Sequence, residues 1–270
     1  MATSRHPLWL RQRDAASLAR GYSRPFRLVE LSSILVFFGM LGCLFARLWH
    51  PARANPWLVL SAVMVGYLAS DFLSGLVHWL GDTWGSADLP LLGASVIRPF
   101  REHHVNQAAI TRHDFIETNG SNCLISTPVA LVALLIPLDD GDSFTIFSVA
   151  FLGSLTLWVF ATNQFHKWAH LANPPPFIDW FQKLHLILPP AHHAIHHCPP
   201  FTRYYCITVG WLNWPLTKIR FFPFMERVVS ALTGAVPRRD DLGERAALAL
   251  TALECEPEPS PQKARLPALH

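Results

Sequence analysis

The sequence predicts an all-α integral membrane protein, with about four transmembrane helices and a cytoplasmic helical cap that holds a histidine-rich metal site. Three observations predict it. Hydrophobic residues make up 51% of the chain and charged residues only 15%, where soluble domains carry about 25% charged residues. Four apolar runs follow one another between turns. Fourteen histidines are present, and most fall in short clusters beside the ends of those runs.

Taken in order, residues 1–30 are polar and arginine-rich. They lack the short apolar core followed by small residues that marks a cleavable signal. LSSILVFFGMLGCLFARLW (31–49) and WLVLSAVMVGYLASDFLSGLVHWL (57–80) match the roughly 20 residues a helix needs to cross a bilayer. Pro51 and Pro56 bracket the tight connection between them. NCLISTPVALVALLIPL (122–138) is a shorter span containing Pro128, and SFTIFSVAFLGSLTLWVFAT (143–162) is the fourth, with DDGD as the turn between them. Residues 31–237 thus read as one membrane domain. From 238 the chain loses aromatics and ends rich in proline and glutamate, which predicts a surface helix followed by disorder over 238–270.

Basic residues set the orientation. Six arginines precede the first span, Arg98, Arg101 and Arg112 lie in the 81–121 loop, and Lys167, Lys183, Arg203, Lys218 and Arg220 follow the fourth span. The 50–56 loop holds only Arg53, and the 139–142 turn has no basic residue. A multi-pass protein with both termini cytoplasmic fits all of these segments. That topology, built without the histidines, brings every histidine cluster to one membrane face. The net charge of +3 comes without a basic stripe, which argues against a nucleic-acid partner. Five cysteines with no CxxC pair argue against a disulfide framework or a thiolate zinc site, and the absence of HExxH argues against a zinc protease.

The histidine motifs converge by helical geometry. His166 and His170 in HKWAH are four residues apart, about 40° around a helix, and share a face. His193, His196 and His197 in AHHAIHH do the same. Asp71, His78 and Asp82 line one face of the second span, and EHH adds His103 and His104. A lone His78 would be an ordinary interfacial residue; HHxxHH is a stronger signal, since one imidazole in six positions is ordinary and four are not. Imidazole suits zinc, copper, nickel and iron. One zinc takes three or four protein ligands, so an array of eight or nine suits two metal ions better than one. Asp71 is costly inside a span, which predicts that it orients a ligand imidazole.

DFLSGLVHWLGDTWGS (71–86), PFREHHVNQAAITRHDFIETNGSN (99–122), NQFHKWAHLANPPPF (163–177) and LHLILPPAHHAIHHCPPFTRYYCITVGWLNWPL (184–216) together resemble the plasmanylethanolamine desaturase family, whose hallmark is the Kua, or lipid desaturase, domain. The resemblance runs in order from about residue 60 to 240 and extends more distantly to a plant plastid palmitate desaturase. It implies a membrane di-iron oxidase that converts the 1-O-alkyl chain of an ether phosphoethanolamine lipid to a vinyl ether at C1′–C2′. The iron ligands it implies are His78, His103, His104, His166, His170, His193, His196 and His197, with His113 as a ninth candidate. Asp71, Asp82, His185, His192 and Asn163 are expected in the outer shell or at the lipid headgroup. O2 is the implied oxidant. With no GxGxxG and no haem CxxCH in the chain, electrons must come from a partner such as cytochrome b5 or a ferredoxin. The membrane is the bacterial inner membrane or the endoplasmic reticulum.

Two other readings share some of these features. An acyl-lipid desaturase or a hydroxylase would use the same ligands. A metal-binding transporter would instead carry its ligands near the bilayer midplane.

Overall fold

The computed structural model describes residues 24–85, 100, 103, 107–198 and 202–237. His104, the polar segment before residue 24 and the tail from 238 lie outside the described residues. Every described element is helical. Four helices are long and apolar enough to cross a membrane: α1 (Arg24–Ala54), α2 (Pro56–Thr83), α4 (Phe115–Leu135) and α5 (Ser143–Ala169). Short helices complete the chain: α3 (Ala109–Arg112), α6 (Pro176–Lys183), α7 (Pro190–His196), α8 (Asn213–Lys218) and α9 (Phe221–Thr233). The four apolar helices and the family described below make this a multi-pass membrane protein.

The long helices run alternately up and down. α1 packs along α4, α4 along α5, and α5 along α2. The α2–α5 contact is close because Gly66 faces Ser154, where an added Cβ would stand 2.7 Å from the serine Cβ. Apolar side chains fill these interfaces, with Phe37, Leu41 and Cys123 in one cluster and Leu44, Ala133 and Val149 in another.

The third span starts earlier than its apolar run, at Phe115 rather than at residue 122. Asp114 caps it by accepting from the Glu117 N–H at 3.0 Å, which satisfies one of the helix's orphan donors. The polar turn that follows (Glu117, Thr118, Ser121, Asn122) is helical because it faces a cavity rather than lipid. Arg27 of α1 donates to Asp114 at 2.6 Å; this guanidinium, with help from the Glu117 N–H, holds the Asp114 carboxyl below the usual carboxylate range.

At the far end Arg47 of α1 donates to the carbonyls of Ala133 (3.2 Å), Leu134 (2.6 Å) and Ile136 (2.7 Å). A cation on the last carbonyls of α4 complements both their unmet hydrogen bonds and the helix dipole. Arg47→Ala should therefore lower unfolding stability by about 1–3 kcal/mol, measured by thermal denaturation in detergent, with little effect at the distant histidine end.

The short helices layer that histidine end. In α6, Ile178 and Gln182 are buried while Phe177 and Trp180 face outward, an aromatic face that fits the headgroup layer of a membrane. Between α7 and α8 a non-helical segment, 205–212, runs beside α2 and α5. Non-helical backbone at such a place needs protein partners for its polar groups, and it has them. Ser74 Oγ accepts from Ile207 N at 3.0 Å, and Asp71 accepts from Val209, Gly210 and Leu212 N–H at 2.9, 2.8 and 3.1 Å. Asn213 pairs twice with Cys206, at 2.8 Å each. Gly75 lets the segment approach, since a Cβ there would lie 2.6 Å from Cys206 Sγ. Cys43, Cys123 and Cys206 are free thiols.

Candidate metal centre

Two groups of donor atoms meet at the histidine end. The larger comprises His103 from the connection between α2 and α3, His166 and His170 from α5 and its C-cap, and His193 and His197 from α7 and its C-cap. Their Nε2 atoms face one another. His103 Nε2 lies 2.9 Å from that of His197, 3.0 Å from His166, 3.1 Å from His170 and 3.4 Å from His193. His193 Nε2 is also 2.8 Å from those of His166 and His197.

Hydrogen bonds between rings do not explain this arrangement. One Nε2 carries at most one proton, so a nitrogen facing four others must meet several lone pairs. A cation at the centre removes the conflict. Two nitrogens bound at about 2.1 Å to one ion stand about 3.0 Å apart at a right angle and about 3.4 Å at the tetrahedral angle. The observed separations, 2.8–3.4 Å, lie at or slightly below these values. Burial first, then the neighbouring imidazoles of His166 and His197, keeps the proton affinity of His193 well below the ordinary histidine range, so this ring is held neutral, as a ligand must be.

The second group is His78, Asp82 and His196. His78 Nδ1 donates to the Tyr205 carbonyl at 3.0 Å, and His196 Nδ1 donates to the Arg203 carbonyl at 3.1 Å. A carbonyl only accepts, so each ring carries a proton on Nδ1, and the neutral ring, the form that can bind a metal, turns an Nε2 lone pair inward. Those lone pairs meet the Asp82 carboxylate oxygen at 3.3 and 3.2 Å. Two imidazoles and a carboxylate converging on one point again fit a bound cation. Tyr204, between the two orienting carbonyls, has φ 63°, a left-handed conformation that costs a non-glycine residue about 1–2 kcal/mol.

The groups adjoin. His196 and His197 are consecutive, with ring centroids 5.3 Å apart, and His78 lies 5.9 Å from His166. A cavity of about 200 Å³ opens against the larger group, with His103 and His166 in its wall. Leu73, Val77, Ile125, Val159 and Ile207 line one part of it, while Glu30, His113, Glu117 and Asn163 line another.

The remaining expected site residues stand as follows. Asp82, expected in the outer shell, lies among the donor atoms. Asp71 orients no imidazole; its carboxylate is taken by three backbone N–H groups of the 205–212 segment, because that segment needs acceptors more than any ring does. Its influence on His78 passes through the Tyr205 carbonyl at the segment's start. His113 stands apart from both groups, with Nε2 3.6 Å from Glu117 and its carbonyl accepting from Lys167. His185 and His192 pair with each other at 5.1 Å between centroids, outside the donor groups. Asn163 donates to the Thr118 carbonyl at 3.2 Å and to Asn122 at 3.1 Å. The orienting carbonyls of Arg203 and Tyr205 carry no sequence signal. The spacing of His78 and Asp82, four residues apart, did carry one for a shared donor site.

The lipid desaturase domain matches residues 67–240, a stretch that contains every donor residue above. The chain belongs to the lipid desaturase family. Within it, the chain is 56% identical over 241 residues to plasmanylethanolamine desaturase of Myxococcus xanthus, covering 89% of this chain and 85% of that one. It is 44% identical over 234 residues to plasmanylethanolamine desaturase 1 of Mus musculus, covering 84% and 86%. The chloroplastic fatty acid desaturase 4 of Arabidopsis thaliana is 30% identical over 175 residues, covering 64% of this chain and 52% of its own length. No solved structure matches the chain. The histidine groups of this lipid desaturase fit metal ions.

Proposed function

We propose that this protein is a plasmanylethanolamine desaturase, an oxidoreductase that removes two hydrogens from C1′ and C2′ of the 1-O-alkyl chain of an ether phosphoethanolamine lipid. The products are the vinyl ether of a plasmalogen and two waters, formed from one O2, two electrons and two protons. The observation that carries the reading is the pair of adjoining imidazole-rich donor groups, one of them in the wall of a cavity lined partly by apolar and partly by polar side chains. The two relatives named for this activity, matched over most of their length, support it.

In this reading each donor group holds one iron, His104 completes the ligand set, and residues 31–237 form the catalytic domain. Iron supplies the oxidising power that breaks an unactivated C–H bond, which zinc lacks. The protein's own residues hold and orient. The Arg203 and Tyr205 carbonyls fix the tautomers of His196 and His78. The apolar wall of Leu73, Val77 and Val159 excludes water from the alkyl chain, and Asn163 with the polar wall receives the glycerol and headgroup. Electrons arrive from an external carrier, cytochrome b5 or a ferredoxin with its reductase. Both termini and the metal end face the cytoplasm, in a bacterial inner membrane or the endoplasmic reticulum.

The test is lipid analysis in a host that lacks plasmalogens. Expression with a 1-O-alkyl phosphoethanolamine substrate should yield vinyl-ether lipid. His196→Ala should lower that yield by at least about a hundredfold, since it removes a donor and unpairs the Arg203 carbonyl. Unchanged yield in the variant would sink the proposal, and a product heavier by one oxygen would show a hydroxylase instead.

A further inference from the structure

Leu73 and Val77 of α2 and Ile125 of α4 all line the cavity and are 39%, 39% and 53% exposed. Lining side chains this exposed place an opening of the cavity beside them. The packing explains the opening: α2 and α4 each pack on α5 rather than on one another among the described residues.

We propose that this gap is a lateral portal through which the substrate lipid brings its alkyl chain into the cavity directly from the bilayer. The inference rests on the desaturase reading for the identity of the guest. The rim is apolar, so it suits a hydrocarbon chain and repels a water-soluble substrate. Polar groups beside it are already engaged. Ser74 Oγ accepts from Ile207 N and donates to the Asp71 carbonyl at 2.7 Å. Thr162 Oγ1 pairs with Thr208 Oγ1 at 2.7 Å. The wall offered to the guest is therefore hydrocarbon.

The depth suits the chemistry. Leu73 precedes His78 by five residues and Val159 precedes His166 by seven, so the apolar part reaches about 7–10 Å beyond the donor atoms at 1.5 Å per residue. A chain entering there from the ether oxygen would pass its first carbons along the His103 and His166 wall and leave the rest in lipid. Only the carbons near the glycerol are gripped. The portal thus selects a membrane-resident lipid without measuring its full chain length.

Photolabelling with an ether phosphoethanolamine lipid, its diazirine close to the glycerol end of the alkyl chain, tests this in vesicles with the full-length protein. Wild type should be labelled at Leu73, Val77, Ile125 and Val159. Leu73→Trp and Ile125→Trp, which plug the rim, should reduce labelling of Val159 and vinyl-ether yield together, by at least about tenfold, with bound metal retained. Leu60→Trp, on the exposed face of the same helix (48% exposed) and away from the cavity, should behave as wild type. Labelling of Val159 that survives the plugs overturns the portal. Should the plugs cost the protein its metal, Leu73→Ala and Ile125→Ala decide: widening the rim should keep or raise labelling, and a fall overturns the proposal. Rim labelling that is blocked by the plugs, in a wild-type protein that makes no vinyl ether, supports the portal and refutes the desaturase reading instead.

Discussion

Asp82→Asn should leave the protein folded with about one metal ion per chain in place of about two, and lower vinyl-ether yield by at least about a hundredfold. The carboxylate oxygen stands 3.3 Å from His78 Nε2 and 3.2 Å from His196 Nε2, and both nitrogens present lone pairs because their Nδ1 protons are committed to the carbonyls of Tyr205 and Arg203. An amide in that place is uncharged and can donate its N–H to an imidazole. The small group then satisfies itself without a cation. The larger group of five histidines does not include Asp82 and should keep its ion. Metal quantification on purified protein reads the result directly. His113→Ala is the comparator, since His113 belongs to neither group; it should retain both ions. An Asp82→Asn protein with undiminished metal would rule the carboxylate out as a ligand.

Asp71→Ala should have the largest effect on stability. It leaves the N–H groups of Val209, Gly210 and Leu212 without their acceptor in a buried setting, at about 1–3 kcal/mol each. The combined cost, about 3 kcal/mol or more, is a large share of the roughly 5–15 kcal/mol that holds a domain folded. The 205–212 segment should detach from α2, and with it the Tyr205 carbonyl that orients His78. Asp71→Asn should be milder. Its remaining oxygen can still serve Val209 and Gly210, which both bond Oδ1, while the amide nitrogen faces only the Leu212 N–H. Thermal unfolding in detergent, with metal content measured in parallel, should rank the two variants below wild type in that order. An alanine variant as stable as wild type would show that the segment is held by other contacts.

Much of this molecule is legible in its sequence because the relevant physics is local. A run of about 20 apolar residues must be a helix if lipid surrounds it, since no other single segment satisfies its own backbone. The four spans follow from that, and so does the pairing of His166 with His170, which needs only helical periodicity. The early start of α4 was less visible. Its first turns are polar, and hydropathy alone does not distinguish a loop from a helix that faces a cavity.

The donor groups depended on the tertiary structure. Asp71 and Asp82 lie on the same face of the same helix, seven residues before and four after His78, and the sequence gives both the same outer-shell expectation. Their roles diverge because of what packs against each. The non-helical 205–212 segment presents bare N–H groups to Asp71, whereas α7 presents His196 Nε2 to Asp82. A carboxylate accepts hydrogen bonds in the first setting and helps bind a cation in the second. Periodicity could place both acids on one face, but only the path of segments more than 110 residues later in the chain decided what each would meet there.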